Sequence, residues 1–516
     1  MYGVFNPSKR RTLRRMVSAL VLAAFASGGL PAVASAEGST LVVAQSYDPQ
    51  SLWPNFSTSQ EQMNVGNAIV ESLFWNDPAT NKTEPVLAES FEILDDTTVR
   101  VVLKQGITFS NGEPMNADAV VESVKIFMTK EITPAYARDA AKIGSIEKTG
   151  DYEVVFHLSQ KYPAVGLLLS QIFIVPPKYW AEVGPEGYGK APIGTGPYIL
   201  TEWVRDDRVV MDRNPTFWGT PPKGIDKIIW KPVPDDTARA AGVLTGEYDI
   251  AANMPATALA QLGGRDDIVL LKVPGYRIFK IDFSTLDIHP GPQHEVLVRK
   301  ALNYAVDKDA IREVLFSGLA SPIHGQILRT NELGFNPDID DYPYDPAKAK
   351  ELLAEAGYPD GLEITFKFPS GRYAQDKEVA EAVAGMLEEV GVKVNMVQLE
   401  AGEFLTQLNN RELYQMALRG SAPQDDPDAM FSSYLSDWRY SHIQDPEMDV
   451  LIQAGSQEMD PEKRAKIYQD LSKLFYDKAY AIFLYQSNDL YGVNARVKGF
   501  VPRGDQRFAF YGTSIE

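Results

Sequence analysis

The feature that most constrains the fold is a strand–helix–strand pattern between residues 362 and 396. Apolar residues alternate over 362–368, as in a strand with one buried face. A helical apolar stripe follows from Asp376, and Gly391 stands where a helix would end in a left-handed residue. Because alternation resumes over 392–396, we expect two parallel strands joined by a right-handed crossover. The pattern therefore predicts an α/β fold.

Helix-start signals extend this region to both sides. Asp345-Pro346 and Asp460-Pro461 predict helix N-termini, since aspartate caps the first amides and proline suits the first turn. A further apolar stripe runs over residues 298–306. We therefore expect residues 285–485 to form one α/β lobe.

The earlier half of the chain has a different pattern. Strand-like runs cover residues 97–103 and 151–158, and Asn111-Gly112 is a strong turn signal. Asn116 is expected to open a helix between them. This mixture predicts a separate small α+β domain over residues 75–190.

The first 36 residues have the order of an export signal. A basic head without acidic residues precedes an apolar stretch over 16–29, which is too short to span a bilayer comfortably. Ala34-Ser35-Ala36 then supplies a small-residue cleavage site. The secretory route is favoured, although Arg10-Arg11 loosely resembles a twin-arginine signal; an amphipathic or mitochondrial leader is the alternative.

Charge and cysteine content narrow the choice of partners. The formal net charge is −19, and loss of the leader removes five further positive charges. A strongly acidic surface repels phosphate backbones and anionic lipids, which argues against nucleic-acid and membrane-surface partners. The absence of cysteine excludes disulfides, thiolate metal sites and the acylation of a lipoprotein. We expect a soluble, monomeric periplasmic protein that is not a lipoprotein.

The stretch APIGTGPYIL, residues 191–200, superficially resembles a phosphate-binding glycine loop. A dinucleotide fingerprint needs G-x-G-x-x-G before a helix, yet a β-type run follows Gly196 and position 199 is isoleucine. We interpret the pair as a tight turn in which glycine supplies freedom in φ and Pro197 directs the chain into a strand.

Catalytic and metal-binding patterns are equally weak. His289 and His294 are separated by Pro-Gly-Pro and share no helical face, no G-x-S-x-G elbow occurs, and acidic pairs such as Asp425-Asp426 indicate solvated charge. We expect no cofactor, no metal and no catalytic residue. The many aromatic residues, 24 Tyr, 23 Phe and 7 Trp, instead favour a cleft that holds a solute.

Seven stretches together resemble the family 5 extracytoplasmic solute-binding proteins, which serve ATP-binding cassette (ABC) importers of the oligopeptide, dipeptide, nickel and glutathione type. They occur in the family's order and cover nearly the whole chain after the leader. The stretches are PVLAESF (85–91), VLKQGITFSNGEP (102–114), PIGTGPY (192–198), RNPTFWG (213–219), TGEYDI (245–250), VRKALNYAVDK (298–308) and YDPAKA (344–349).

The resemblance implies a type II-like periplasmic binding protein, a two-lobed clamshell with an additional small α+β domain. The first lobe would be discontinuous and the second lobe continuous. The implied boundaries are 1–36 for the signal peptide, 37–74, 191–284 and 486–516 for the first lobe, 75–190 for the small domain, and 285–485 for the second lobe.

The ligand is less well defined than the fold. In peptide-binding members an aspartate near an acidic-Pro stretch clamps the ligand's amine beside a tryptophan. The matching positions here are Pro423 and Gly420, which supply neither the charge nor the ring, and Asp425, two residues on, is the alternative acid for the clamp. A peptide or peptide-like solute is the default ligand, and an opine, a glycoside or a chelate is the alternative.

The implied mechanism is a population shift toward a closed form in which the solute touches both lobes. The closed form would dock on an inner-membrane permease driven by its ATPase. Two rival classes are a secreted hydrolase with a carboxylate pair and a periplasmic chaperone or scaffold. The candidate ligand contacts are Tyr47 and Trp53 from the first lobe, and Arg372, Tyr373, Arg419, Asp425 and Trp438 from the second.

Overall fold

The computed structural model describes residues 39–57, 59–77, 80, 82–255, 258, 264–370, 372–421, 426–508, 510 and 512–516. The predicted export signal, residues 1–36, therefore lies outside the described residues. Across the ranges given above, no helix combines the length and apolarity needed to cross a bilayer.

The strands fall into one large sheet, one four-stranded sheet and two ribbons of two strands each within the described residues. They are β1 (Thr40–Gln45), β2 (Phe74–Asp77), β3 (Lys82–Pro85), β4 (Ala88–Ile93), β5 (Thr98–Leu103), β6 (Ile143–Gly150), β7 (Glu153–Leu158), β8 (Tyr198–Val204), β9 (Arg208–Arg213), β10 (Lys227–Pro232), β11 (Ile250–Ala251), β12 (Ile268–Phe283), β13 (Ala320–Ser321), β14 (Leu362–Ser370), β15 (Val392–Glu400), β16 (Met416–Ser421), β17 (Ala481–Asn494), β18 (Val497–Lys498) and β19 (Ser514–Ile515).

The helices cover the faces of these sheets. They are α1 (Gln60–Gly66), α2 (Ala117–Met128), α3 (Ala137–Ala140), α4 (Val165–Ser170), α5 (Pro177–Lys190), α6 (Asp236–Thr245), α7 (Val296–Ala305), α8 (Lys308–Phe316), α9 (Pro346–Glu355), α10 (Asp376–Glu389), α11 (Ala401–Asn409), α12 (Pro427–Phe431), α13 (Pro446–Gln457) and α14 (Pro461–Asp477), with 3-10 turns at Pro54–Phe56, Pro134–Tyr136, Pro292–His294 and Ser432–Tyr434.

The large sheet is continuous across two lobes. Its strands follow the order β15-β14-β16-β12-β17-β11-β1-β10-β9-β8, with β13 added beside β17. We call the part around β1 and β8–β11 the first lobe and the part around β14–β16 the second lobe. The long antiparallel strands β12 and β17, the crossover strands, belong to both and pass from one lobe to the other. This architecture is the two-lobed type II-like fold that the sequence implied, while the residue boundaries of the lobes stay a prediction.

The strand–helix–strand unit is confirmed in the second lobe. β14 and β15 pair in parallel, from Leu362 opposite Val392 to Ser370 opposite Glu400, and α10 lies between them in the sequence. Gly391 ends the connection with a φ of 92°. Apolar side chains of α10 and the strands are buried together because helix and sheet each expose one apolar face.

The predicted helix starts are also confirmed. The side chain of Asp345 accepts a hydrogen bond from the Lys348 amide at 2.9 Å, and Asp460 accepts two from the first turn of α14. In the small domain, Asn116 caps α2 in the same way. That domain holds the four-stranded sheet β4-β5-β7-β6 over its own apolar core.

The glycine pair lies in the turn that leads into β8, as expected, but for a different reason. Neither Gly194 nor Gly196 has a positive φ, so freedom in φ is not what the turn needs. A Cβ on Gly194 would overlap the Ile69 carbonyl oxygen, and one on Gly196 would lie 2.7 Å from the Ala68 oxygen. The Gly196 amide donates to the Ile69 oxygen at 2.9 Å, so the two backbones touch directly. Close approach of two chains explains both glycines.

The stability of Gly194→Ala tests this explanation. We expect the substitution to lower the free energy of unfolding by about 1–3 kcal/mol, because the Ile69 backbone cannot rotate away as a side chain could. Gly385→Ala in α10 is the matched control, since no heavy atom lies within 4 Å of its added Cβ. Urea unfolding of the two variants should differ in sign or clearly in size; equal effects would contradict the close-approach explanation.

Candidate functional site

Strand directions bring the loops of the two lobes toward each other. β1, β10 and β11 run in the same direction as β12, which passes from the first lobe into the second. β14, β15 and β16 run in the opposite direction. The carboxyl ends of both strand sets therefore face the boundary between the lobes, which is where open α/β sheets bind ligands.

The crossover strands are irregular at this boundary. The three residues Gly275–Arg277 of β12 oppose the single residue Ser487 of β17, and the register shifts again between Phe279 and Lys280. Such bulges bend a strand and release it from regular pairing. The irregularity marks where the first lobe ends and the second begins.

A cavity of about 880 Å³ lies against this bulge and is lined by both lobes. Its floor is β12 around Tyr276, and Gln486 of β17 lies beside it. The second lobe contributes residues 321–331 and Phe335, and the first lobe contributes Trp75 and residues 501–504. We call this cavity the cleft. Its size lies in the range of pockets that hold small molecules.

Two arginines of the cleft are fixed by aromatic rings and carboxylates. The Arg329 guanidinium lies 3.5 Å from the Tyr276 ring centroid and donates to Glu332 at 2.8 Å. Arg503 lies 3.9 Å from the Trp75 ring centroid and pairs with Asp505. Stacking and pairing hold both cations in place, as a binding site for a polar solute requires.

None of these cleft residues was among the candidates from the sequence. The segment between β13 and α9 has no regular secondary structure over most of its length, and long irregular segments are often functional. The irregular segment was the one feature of the sequence that could have pointed to the cleft. The contribution of residues 501–504 had no local signal at all, because it depends on how the chain returns to the cleft.

The two first-lobe candidates, Tyr47 and Trp53, differ in their exposure. Tyr47 follows β1, is 64% exposed, and lines a polar recess of about 600 Å³ together with Asp48. Trp53 is 1% exposed and packs edge-on against Trp180 at 4.8 Å between ring centroids. In this structure Trp53 is thus a core residue that offers a ligand no surface, because its indole is enclosed by the apolar core of the first lobe.

Arg372 and Tyr373 lie directly after β14, on the second-lobe side of the boundary. Their backbone amides donate to Asp376 at 2.9 and 3.1 Å, which fixes the loop at the start of α10. The Arg372 side chain is exposed and donates to the Tyr373 hydroxyl at 3.0 Å. The Tyr373 ring packs edge-on against Phe279 of the crossover. The structure therefore brings these two candidates together.

Arg419 is held inside the second lobe rather than presented freely. Its guanidinium donates to Asp282 at 2.8 Å, and Lys280 binds the same carboxylate at 2.6 Å. Burial would raise the pKa of Asp282, but Lys280 and Arg419 hold it below its ordinary value. Burial lowers the pKa of Lys280 to about 8, and that of neighbouring His442 to about 3. One carboxylate is thus shared by two cations beside a neutral imidazole.

The other candidates are less informative. Trp438 is half-buried and lies 6.2 Å from Tyr440 between ring centroids, outside the cleft lining. Pro423 and Asp425 lie outside the described residues. In the described part of the chain, no three His, Asp or Glu side chains are grouped so that they could hold a metal ion.

Comparison with known proteins identifies the family. Residues 82–442 match the family model for bacterial extracellular solute-binding proteins, family 5. The chain is 29% identical to the heme-binding protein A of Haemophilus influenzae, over 90% of this chain and 88% of that protein. It is 28% identical to the glutathione-binding protein GsiB of Pectobacterium atrosepticum, over 92% of each. The chain belongs to this family.

Structural similarity agrees with this assignment. HbpA2 from Haemophilus parasuis superposes with a TM-score of 0.84 at 26% identity, covering 93% of this chain and all of that one. As a family 5 solute-binding protein, the chain is the receptor component of an ABC import system, and its family is one of binding proteins.

A buried carboxyl group lies beneath the cleft wall of this family 5 protein. Asp489 of β17 pairs across the crossover with Val273, which lines the cleft. Gln506 donates to one oxygen at 2.7 Å, and the other oxygen has no hydrogen-bond partner among the described residues. Burial raises the pKa of Asp489 to about 7, against the opposing influence of Gln506 and Arg277, while Asp505 raises it further.

The pH dependence of stability should reveal Asp489. An unfolded aspartate titrates near pH 4, so between about pH 4 and pH 7 the folded state binds a proton that the unfolded state does not. The free energy of unfolding is therefore expected to fall by about 2–3 kcal/mol from this group between pH 5 and pH 8. Asp489→Asn has no titrating group at this position and should not lose this stability as the pH rises. The free energy of unfolding of the variant, relative to that of the wild type, should therefore increase toward pH 8.

Urea unfolding at several pH values measures this difference. Asp360→Asn removes the same charge from the exposed surface and is the matched control. An Asp489→Asn profile parallel to the wild-type profile would contradict the burial of a titrating group at this position.

Proposed function

We propose that the receptor captures a peptide or peptide-like solute in the cleft and delivers it unchanged to a membrane permease. The observation that carries this proposal is the cleft itself, a cavity of about 880 Å³ lined by both lobes at the crossover bulge. Because its walls belong to different lobes, a solute can contact both only where the lobes approach, and it therefore shifts the population toward a closed form.

The chemistry of the lining supports a peptide-like ligand. Arg329 and Arg503 line the cleft with guanidinium groups, which suit a carboxylate of the ligand. Apolar side chains such as Ile327 share the same walls. A ligand with alternating polar backbone and apolar side chains suits such a lining, and one of the named relatives is a glutathione-binding protein.

The remaining features of this role are part of the same proposal. The receptor acts in the periplasm after loss of residues 1–36, without a lipid anchor, and docks on its permease as a monomer. The basic leader, the absence of cysteine and the strongly acidic composition support these features. It catalyses no reaction on its ligand.

A ligand panel tests the proposal. Glutathione, di-, tri- and tetrapeptides, an opine, a glycoside and a nickel chelate are each added to the purified receptor, and the melting temperature and the chemical integrity of the solute are measured. Peptides are expected to raise the melting temperature by binding only the folded state, with no turnover. If only the opine, the glycoside or the chelate raised the melting temperature, that solute class would take the place of peptides as the proposed ligand. Hydrolysis of any solute would overturn the receptor role.

Arg372 provides a second test at the level of one side chain. Arg372 does not line the cleft in this structure, but its exposed side chain lies at the carboxyl end of β14, where closure of the lobes would bring it to the ligand. Arg372→Ala should leave folding intact. Loss of a charge-assisted hydrogen bond to the ligand should weaken peptide binding about ten- to a hundredfold by calorimetry. Arg265→Ala, which removes the same charge near the far end of β12, is the control and should bind like the wild type. Equal affinity of both variants would remove Arg372 from the site.

A further inference from the structure

A second cavity, of about 430 Å³, adjoins the cleft on the first-lobe side. We call it the annex. The exposed surface of its walls is mainly apolar, although Glu71, Glu84 and Arg507 also line it, and protein interiors normally pack too densely to leave a space of this size. The aromatic residues that line it, apart from Trp75, are Phe173, Tyr198, Phe217, Trp218, Phe508 and Phe510.

The annex and the cleft meet at one residue, Trp75 of β2, which lines both cavities. Arg503, which belongs to the cleft lining, lies over the Trp75 ring. The C-terminal segment lines the cleft at residues 501–504 and the annex a few residues later, at Arg507 and Phe508. The annex therefore adjoins the cleft across Trp75.

Packing behind the annex keeps its walls in place. Phe508 and Phe510 lie 5.4 and 5.9 Å from Trp230, which is buried in the first-lobe core. The Trp218 indole donates to Glu71 at 2.8 Å, and the Phe508 amide donates to Asn64 at 2.9 Å. Rings and polar groups fixed in this way preserve the chamber instead of collapsing into it.

We propose that the annex binds a large apolar side chain of the solute whose polar backbone lies in the cleft. This proposal rests on the proposed function and adds the substrate class: peptides with an aromatic or branched aliphatic residue. Arg503 lies over the Trp75 ring in the cleft, where it can meet polar groups of the ligand, and Trp75 also lines the annex. A polar side chain is expected to gain less from the annex than an apolar one, because part of its polar surface would be buried against the rings.

Paired tripeptides test the preference. Calorimetry compares Ala-Phe-Ala with Ala-Ser-Ala, and the aromatic peptide is expected to bind about ten- to a hundredfold more tightly, as burial of one ring implies. Equal affinities would overturn the annex while leaving the peptide receptor intact. Crystals with the p-bromophenylalanine analogue should place the anomalous bromine signal beside Trp218 and Phe510; a signal elsewhere would also overturn the proposal.

Two substitutions reduce the space in the annex. Val86→Trp fills it from the half-buried wall, and Thr220→Trp obstructs it from an exposed position where a larger side chain cannot unfold the protein. Both should bring the ratio of the two peptide affinities toward one. Val314→Trp, at a site that is 75% exposed on α8, is the control and should preserve the ratio. An unchanged ratio in both annex variants would contradict the proposal.

A fragment separates failure of the annex from failure of the peptide class. If neither tripeptide binds, peptides are excluded as the ligand class. Crystals are then soaked with 4-bromophenol alone. Bromine in the annex would support the apolar site without the peptide class, whereas its absence would overturn the annex as well.

Discussion

The two crossover strands are the constraint on which the rest of the structure depends. β12 and β17 pair with each other in both lobes, so one continuous sheet links the two lobes. The pairing is irregular at Gly275–Arg277, where three residues oppose one, and again between Phe279 and Lys280. A bulge is a local bend in an otherwise regular ladder. The first irregularity lies within a few residues of the floor of the cleft and of the buried carboxyl group of Asp489.

Charge is treated differently on the two sides of this bend. In the second lobe, Lys280 and Arg419 both bind the carboxylate of Asp282, so removing that carboxylate would leave cations without a counter-charge. In the cleft, Arg329 and Arg503 each pair with a carboxylate of their own and also lie against rings that line the cavity. The first arrangement joins neighbouring strands through one shared carboxylate. The second holds each guanidinium group in a fixed orientation at the cavity wall.

Local sequence signals predicted the elements well and the site poorly. The βαβ unit, the caps at Asn116, Asp345 and Asp460, and the strand after the glycine pair depend on neighbours in the sequence, and all are confirmed. The cleft depends on contacts between segments hundreds of residues apart. The exposure of a side chain does not follow from its residue type either. Trp53 is a large aromatic residue of the kind that lines clefts, but the core of the first lobe encloses it.

The aromatic residues of the annex give the proposed receptor a means of selection that needs no charged clamp on the ligand's amine. Position 423, which the family resemblance assigns to that clamp, is proline in this chain. An apolar annex discriminates by size and polarity, and an apolar pocket separates similar side chains by no more than about ten- to two-hundredfold. Selection of this kind sets a preference among peptides rather than rejecting one class outright. The proposed receptor would therefore accept a class of peptides with low specificity for their sequence.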